Sequence, residues 1–408
     1  MKQDLDRLME ERALDALVVY GQMRGNPSLF YMVHGAQVMG GRVIKKRGEE
    51  PVFVHSPIER EEAAASGLKL VNVGQYDYQA ILREKGDELA ADVEVYRRIF
   101  ADLGLRGKVG FYGMVDAGRA WLLLNALNEQ LDGVQVEAEY VASVIDVARA
   151  TKDASEAERI HRVGQRTATV VGETIEFLQS HAVQDGALVQ RDGTALTIGR
   201  VHQEIRRFLS GQGLEAPEGT IFAIGRDAAI PHNHGNPTDL LRLGQTIVFD
   251  IYPREIGGYF FDMTRTFCLG YAPPEVERVF QDVHDCLEEM SAAFTAGTEL
   301  KLYQRKACEF FEKRGHPTIG SNSQTESGYV HGLSHGIGLA IHEEPFSGDV
   351  PTNTTHIQPG HIFTCEPGLY YPEQGFGVRL EDVIWADPQG GVRSLTEFPK
   401  ELVVRVGV

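Results

Sequence analysis

Two pairs of carboxylates flank predicted β-hairpin turns, and this arrangement constrains the fold more than any other feature of the chain. In VFDIYPREIGGYFFD, Asp250 and Asp262 lie twelve residues apart around a predicted turn at Gly257-Gly258. If they are directly opposed about a midpoint at Ile256, their Cβ atoms lie about 4.5–5.5 Å apart. Two carboxylates at that separation repel unless they are protonated or bridged by a cation. The spacing therefore predicts an antiparallel hairpin that holds a cation.

A second carboxylate pair and a cluster of histidines extend this prediction. In TCEPGLYYPEQGFGVRLED, the midpoint between Glu366 and Glu381 falls within a Pro-Glu-Gln-Gly turn. Nine of the fourteen histidines lie between positions 232 and 361, and VHGLSHGIGLAIHEEP contains His331, His335 and His342. Four carboxylates and one imidazole form a hard, oxygen-rich ligand set whose charge balances two divalent ions. The residues therefore predict a dinuclear metal site in the second half of the chain.

The order of apolar segments predicts two domains. Residues 1–148 alternate short apolar strands such as ALVVYG and KVGFYG with helical stretches such as DELAADVEVYRRIFADLG, which is typical of an α/β domain. Ser155 and Glu158 have capping-box spacing ahead of a long amphipathic helix. From about residue 219 onward, strands of alternating polarity joined by Gly/Pro-rich turns predict an α+β domain with an antiparallel sheet, and helices are expected at about 274–295 and 301–314.

Charge and cysteine usage exclude several classes of function. The formal net charge of −18 would repel nucleic acid and anionic membranes on average. Four cysteines without a CxxC pair indicate reduced thiols and exclude a zinc ribbon. No segment has the pattern of a signal peptide or of a membrane span. We therefore expect a soluble, cytoplasmic protein that binds neither nucleic acid nor membranes.

Five sequence blocks resemble those of the pita-bread metallopeptidases, the family that contains aminopeptidase P, prolidase, methionine aminopeptidase and creatinase. The blocks are PHNHGNPTD, VFDIYPREIGGYFFDMTRTF, HGLSHGIGLAIHEEP, TCEPGLYY and GVRLEDVIW. The resemblance implies a creatinase/prolidase-type N-terminal domain over 1–148 and a pita-bread catalytic domain over 149–408. It also implies that Asp250 chelates one ion, that Asp262 and Glu381 bridge both ions, and that His335 and Glu366 complete the second. Glu366 resembles the general acid/base of the family.

The same resemblance implies roles for residues around the metals. His232 should lie beside the ions and contact the substrate or the tetrahedral intermediate. His234 is a second candidate, because strand periodicity would place both rings on one face; we favour His232. His342 resembles a histidine that contacts the scissile carbonyl or the proline residue, and His331 resembles one that lines the proline pocket. Arg379 matches an arginine that either orients the ligands or approaches the substrate.

Several activities are compatible with this family. Methionine aminopeptidases usually lack a domain like residues 1–148, and creatinase does not share the metal ligands, so both are disfavoured. Intact ligands also argue against a non-enzymatic peptide-binding module of the same fold. The sequence favours a prolidase that cleaves Xaa-Pro dipeptides, and the alternative is an aminopeptidase P that acts on longer peptides.

Three features of the prolidase hypothesis stay open at the level of sequence. A dipeptidase needs a cation for the carboxylate of proline, and Arg379 and Arg42 are the candidates. Mn²⁺ is the first choice of metal, with Zn²⁺ and Co²⁺ as alternatives. The resemblance also implies a homodimer.

Overall fold

The computed structural model describes residues 4–407, which divide into two compact units between Arg149 and Ala150. Among residues 4–407, none of the helices combines the length and the apolar character needed to cross a bilayer. The two units have separate hydrophobic cores and different sheet architectures, as described below for each.

The N-terminal unit is an α/β domain, as predicted. Its six-stranded sheet has the order β4-β3-β2-β1-β5-β6, with parallel pairs β3–β4, β1–β5 and β5–β6 and antiparallel pairs β1–β2 and β2–β3. One side of the sheet packs against α5 and α6, whose apolar faces supply much of the core. The elements are α1 Leu5–Glu11, β1 Ala16–Gln22, α2 Pro27–Met32, β2 Gly40–Lys46, β3 Val52–His55, α3 Arg60–Ala64, β4 Lys69–Asn72, α4 Tyr78–Lys85, α5 Glu88–Asp102, β5 Gly107–Met114, α6 Ala117–Gln130, β6 Val134–Glu137 and α7 Val144–Ala150.

The C-terminal unit is α+β and built mainly from antiparallel strands, again as predicted. One sheet has the order β10-β11-β13-β21, in which only β13 and β21 are parallel, and another has the antiparallel order β15-β14-β16-β19-β20. Its elements are α8 Ala154–Gln179, β7 Ala182–Gln184, β8 Ala187–Val189, α9 Ile198–Gly211, β9 Leu214–Glu215, β10 Ile221–Ile224, β11 Thr246–Ile251, β12 Arg254–Glu255, β13 Met263–Leu269, α10 Pro274–Ala293, α11 Lys301–Glu312, β14 His335–Gly336, β15 Glu343–Phe346, β16 Ile362–Cys365, β17 Gly368–Tyr371, β18 Phe376–Arg379, β19 Asp382–Ala386, β20 Val392–Ser394 and β21 Val403–Val404.

The start of the long helix α8 differs from the prediction by two residues. Asp153, not Ser155, is the N-cap, and its side chain accepts hydrogen bonds from the backbone of Ser155 and Glu156. Glu156, not Glu158, completes the capping box by accepting from the backbone N–H of Asp153. The predicted pair, Ser155 and Glu158, and the observed pair, Asp153 and Glu156, have the same S/T/D-x-x-E spacing. The pattern therefore located the start of the helix to within two residues but did not identify the N-cap residue.

The four cysteines are free thiols buried in the C-terminal unit. Cys365 belongs to the hydrophobic core, because it precedes Glu366 on the chain and so faces the opposite side of the strand.

Candidate metal centre

The first hairpin holds its two aspartates on one face, but in a different register from the predicted one. Asp250 on β11 pairs with Thr264 on β13, so Asp262 lies two residues from the opposed position. The turn centres on Gly257, which has a φ of 65°, rather than on Ile256. A shift of two residues preserves the side-chain parity of a strand, and both carboxylates therefore still face the same cavity.

The second hairpin has the predicted register. Cys365 pairs with Asp382 at the end of one ladder, and Gly368 pairs with Arg379 at the start of the next. The two ladders have the same register. Glu366 and Glu381 therefore lie opposite each other in the short gap between the two ladders. The two carboxylates are therefore presented by a continuous antiparallel pair of strands.

His335 on β14 lies among these carboxylates. Its Nε2 atom is 3.7 Å from Oδ2 of Asp262 and 3.5 Å from Oε1 of Glu366. One ligand atom each from Asp262, His335 and Glu381 fall within 4.8 Å of one another. Burial lowers the pKa of His335 to about 3, which keeps the imidazole in the neutral form that coordinates metals.

The buried carboxylates have more negative charge than the protein neutralises. Asp250 Oδ1, Asp262 Oδ1 and Glu381 Oε1 are buried and have no hydrogen-bond donor within residues 4–407. Burial and the neighbouring carboxylates raise the pKa of Asp262 and of Glu381 well above the usual range, and burial raises the pKa of Glu366 to about 8. Unpaired buried charge is costly in a protein interior. Oxygen ligands that lack donors are what a hard divalent cation requires, so the residues present fit such ions.

Arg379 is the only guanidinium that lines this cavity in the described part of the chain, and it is fully engaged. Its Nη2 donates to Asp250, and its Nε donates to the hydroxyl of Thr264 at 3.2 Å. Its Nη1 donates to Tyr370 Oη at 2.6 Å and to the carbonyl of Pro231 at 3.2 Å. These bonds favour the orienting role for Arg379 over contact with a substrate. Arg42 belongs to the N-terminal unit and is not among the residues that line this cavity.

Two residues of this network, Tyr370 and Thr264, did not stand out in the sequence. The hydroxyl of Thr264 donates to Glu381 Oε2 at 2.7 Å and so orients that carboxylate. The hydroxyl of Tyr370 lies 2.9 Å from His331 Nε2, while Nδ1 of His331 lies 2.8 Å from the carbonyl of Gly332. The parity of β17 could have identified Tyr370, because it lies on the same strand face as Glu366, four residues earlier.

The histidines of PHNHG lie in a loop, so the predicted strand periodicity does not apply to them. His232 and His234 both line the cavity, but Nδ1 of His234 is 3.1 Å from the carbonyl of Thr220. Neither ring nitrogen of His232 or His342 is hydrogen bonded within residues 4–407. His342 stacks edge-on against His335 at 4.4 Å between ring centroids, and its pKa is lowered, mainly by burial. His232 and His342 are therefore the rings available to a bound molecule.

Apart from Arg42, all the residues predicted for the site line one cavity of about 450 Å³ within the C-terminal unit. That volume lies towards the small end of the range for small-molecule pockets. Its polar groups are those described above, and apolar side chains, including Ile221, Ile341 and Phe346, form the rest of the wall. The cavity thus combines a candidate metal centre with space for a short peptide.

Comparisons of sequence and structure show which known proteins this chain resembles. Residues 158–388, more than half of the chain, match the profile of metallopeptidase family M24. The Bacillus subtilis protein YkvY is 30% identical over 229 residues, or 56% of this chain, and the aligned region spans 58% of YkvY, less than two thirds of its length. The Xaa-Pro dipeptidase of Pyrococcus furiosus is 24% identical over 410 aligned residues, covering 99% of this chain and 100% of that enzyme. The solved Xaa-Pro dipeptidase structure from Bacillus anthracis has a TM-score of 0.75 and 21% identity, covering 98% of this chain and 99% of that one, and shows a shared fold.

Proposed function

Since the chain belongs to metallopeptidase family M24, we propose that it hydrolyses the Xaa-Pro bond of dipeptides with two bound divalent metal ions. One observation carries this proposal: buried carboxylate oxygens without donors and imidazoles without protein partners converge on one cavity. The names of the P. furiosus and B. anthracis relatives, both Xaa-Pro dipeptidases, support a proline-containing substrate.

Five residues would hold the ions. Asp250 would chelate one ion, Asp262 and Glu381 would bridge both, and His335 and Glu366 would complete the second. Bound divalent ions supply Lewis acidity, which lowers the pKa of a water molecule and polarises a carbonyl. Mn²⁺ is the proposed occupant, and Zn²⁺ or Co²⁺ would suit the same mixture of oxygen and nitrogen ligands.

Glu366 is the proposed proton carrier of the reaction. It is the most accessible of the four acidic ligands, with 18% of its side chain exposed, so it can meet both water and substrate. We assign it the transfer of a proton from the attacking water to the departing nitrogen. That transfer is required because an amide nitrogen must gain a proton before it can leave the tetrahedral intermediate as an amine.

His232 and His342 are the proposed contacts to the reacting carbonyl. Their rings line the cavity without protein hydrogen bonds, so an N–H of either ring can stabilise the negative charge that develops on the carbonyl oxygen. His331, whose two nitrogens are already engaged, would present a ring face to the proline side chain. Arg379 and Tyr370 would hold Asp250 and His331 in place.

A comparison of three substrates tests the proposal. The small cavity suits a dipeptide, because further residues must pass its wall. We expect kcat/KM for Ala-Pro to exceed that for Ala-Pro-Ala by at least about tenfold, or 1.4 kcal/mol, and Ala-Ala to be a poor substrate. Faster cleavage of Ala-Pro-Ala would make the chain an aminopeptidase P, and equal cleavage of Ala-Ala would remove proline specificity. Absence of hydrolysis with Mn²⁺, Zn²⁺ and Co²⁺ would contradict an enzymatic role.

We also propose a homodimer that works in the cytoplasm. Four unpaired cysteines are consistent with a reducing compartment. Light scattering coupled to size-exclusion chromatography gives the oligomeric state, and a mass equal to one chain of 45.2 kDa would contradict the dimer.

A further inference from the structure

The N-terminal unit contains a cavity of its own, with a volume of about 870 Å³. Its walls come from β1, β2, α5 and α6, together with the segment that joins β5 to α6. Leu89, Leu122 and Leu123 give it an apolar lining, and charged side chains of both signs project beside them. The cavity therefore has the mixed character of a small-molecule site.

Arg42 on β2 is the unusual charged group of this cavity. Its guanidinium lies 4.9 Å from the ring centroid of Tyr96, and no carboxylate of residues 4–407 approaches within 4.0 Å of it. The Nε atom of Arg42 and the hydroxyl groups of Tyr20 and Tyr96 are buried without a hydrogen bond of acceptable geometry. A guanidinium in the interior is normally paired with an anion. The protein alone does not supply that anion by direct contact.

Two carboxylates in the same cavity are also left without a direct partner. Glu88 and Asp92 lie one turn apart on α5 and thus on the same helix face. Neither side chain forms an ion pair or a hydrogen bond in the described part of the chain, although burial raises the pKa of Asp92. Asp87 and Asp116, by contrast, cap α5 and α6 and have backbone donors. The cavity thus offers Glu88 and Asp92 together with three arginines, and no ion pair within 4.0 Å joins these side chains to a partner in residues 4–407. The arginines are Arg24, Arg42 and Arg119.

We propose that this cavity binds the zwitterion of an α-amino acid with an apolar side chain. The carboxylate of the ligand pairs with Arg42, its ammonium group pairs with Glu88 and Asp92, and its side chain packs on the leucines. A ligand with negative charge alone leaves Glu88 and Asp92 without a cation, and the four acidic residues of the cavity outnumber its three arginines. A ligand with positive charge alone leaves Arg42 without an anion. This site is separate from the proposed peptidase activity and does not depend on it.

Hydrogen–deuterium exchange of the full chain with three related probes tests the site. L-leucine carries both charges, N-acetyl-L-leucine lacks the ammonium group, and L-leucinamide lacks the carboxylate. We expect L-leucine at pH 7 to protect residues 40–46 and 88–102 from exchange, with half-maximal protection at a concentration at least about tenfold lower than for either analogue. Protection of the C-terminal unit alone, or equal effects of the three probes, would overturn the proposal. Absence of protection by L-leucine would overturn it too.

Variants provide a second, independent measurement. Arg42→Gln and Asp92→Asn should each raise the L-leucine concentration for half-maximal protection by roughly tenfold or more, as expected on removing one partner of a desolvated charge pair. Arg83→Gln, at an exposed position on α4 outside the cavity, is the matched control and should leave it unchanged. If Arg42→Gln binds L-leucine as well as the native chain does, the guanidinium is not the carboxylate partner. The probe comparison in the native chain stays decisive even if a variant does not fold.

Discussion

At the scale of single residues, Asp262 has the strongest requirement for a cation. Its side chain is buried, its Oδ1 lacks a donor, and its pKa is raised well above the usual range by burial and by the neighbouring Glu381, Asp250 and Glu366. Replacing it with asparagine removes a charge from the proposed bridging position while keeping the shape of the side chain.

We predict that Asp262→Asn lowers kcat/KM for Ala-Pro by at least about 100-fold and reduces bound metal below two ions per chain. Metal content after incubation with Mn²⁺ and desalting, measured by mass spectrometry, checks the stoichiometry. Asp285→Asn, on the exposed surface of α10, is the control and should keep both ions. Full activity of Asp262→Asn, or background metal in the native chain, would refute the dinuclear site.

His232 and His234 differ in their hydrogen bonding, and this difference predicts different kinetics. His232 has free ring nitrogens, whereas His234 lies 3.1 Å from the carbonyl of Thr220. We expect His232→Ala to lower kcat by roughly 100-fold, as for loss of one transition-state contact, with unchanged metal content. His234→Ala should change kcat less than His232→Ala does. The opposite ranking, measured with Ala-Pro under one metal condition, would assign the contact to His234.

At the scale of secondary-structure elements, local sequence patterns predicted both hairpins, and the register of each hairpin depends on the conformation of its turn. The turn around Glu373 gave the register of the second hairpin correctly, because one register runs through both of its ladders. The first hairpin was displaced by two residues, because the backbone reverses at Gly257 in a left-handed conformation. An even displacement left the inward face unchanged, so Asp250 and Asp262 line the same cavity despite the error.

Other contacts of the site could not be read from local patterns. The bond from Thr264 to Glu381 joins residues 117 positions apart, and the bond from Arg379 to Asp250 spans 129 positions. No periodicity encodes such pairs, since they depend on how β11, β13 and β18 come together. The position of His232 in a loop is equally a product of tertiary packing, because Arg379 binds the carbonyl of the preceding Pro231.

At the scale of the whole molecule, stability should depend on pH through His361. Its side chain is buried, and Nδ1 accepts a hydrogen bond from the backbone N–H of Gln358 at 3.2 Å. Burial, with a smaller effect of nearby Lys152, lowers its pKa from 6.5 to about 3. The unfolded chain therefore binds a proton between these values that the folded chain does not. The stabilising contribution is complete above pH 6.5 and is lost as the pH falls towards 3.

We predict that His361→Asn weakens the loss of stability on acidification. Asparagine keeps an acceptor for Gln358 but does not titrate, so the free energy of unfolding should fall between pH 7 and pH 5 by roughly 2 kcal/mol less than in the native chain. Both proteins should carry Trp121→Phe, which leaves Trp385 in the C-terminal unit as the only tryptophan in urea titrations. Parallel pH profiles, offset by a constant amount, would mean that His361 contributes packing alone.

Because its four cysteines are buried, the native chain is suited to distance measurements between spin labels on introduced cysteines. All four lie in the C-terminal unit, and burial raises the pKa of Cys268 to about 12 and that of Cys365 well above the usual range. Thiol-directed labels react with the accessible thiolate, so these side chains should stay unlabelled in the folded protein. One cysteine introduced at exposed Glu129 and another at exposed Glu289 would then carry the only spin labels, one in each unit. Pulsed electron resonance on that pair would report the separation of the two units, and its spread, in solution and without removal of any native residue from the core.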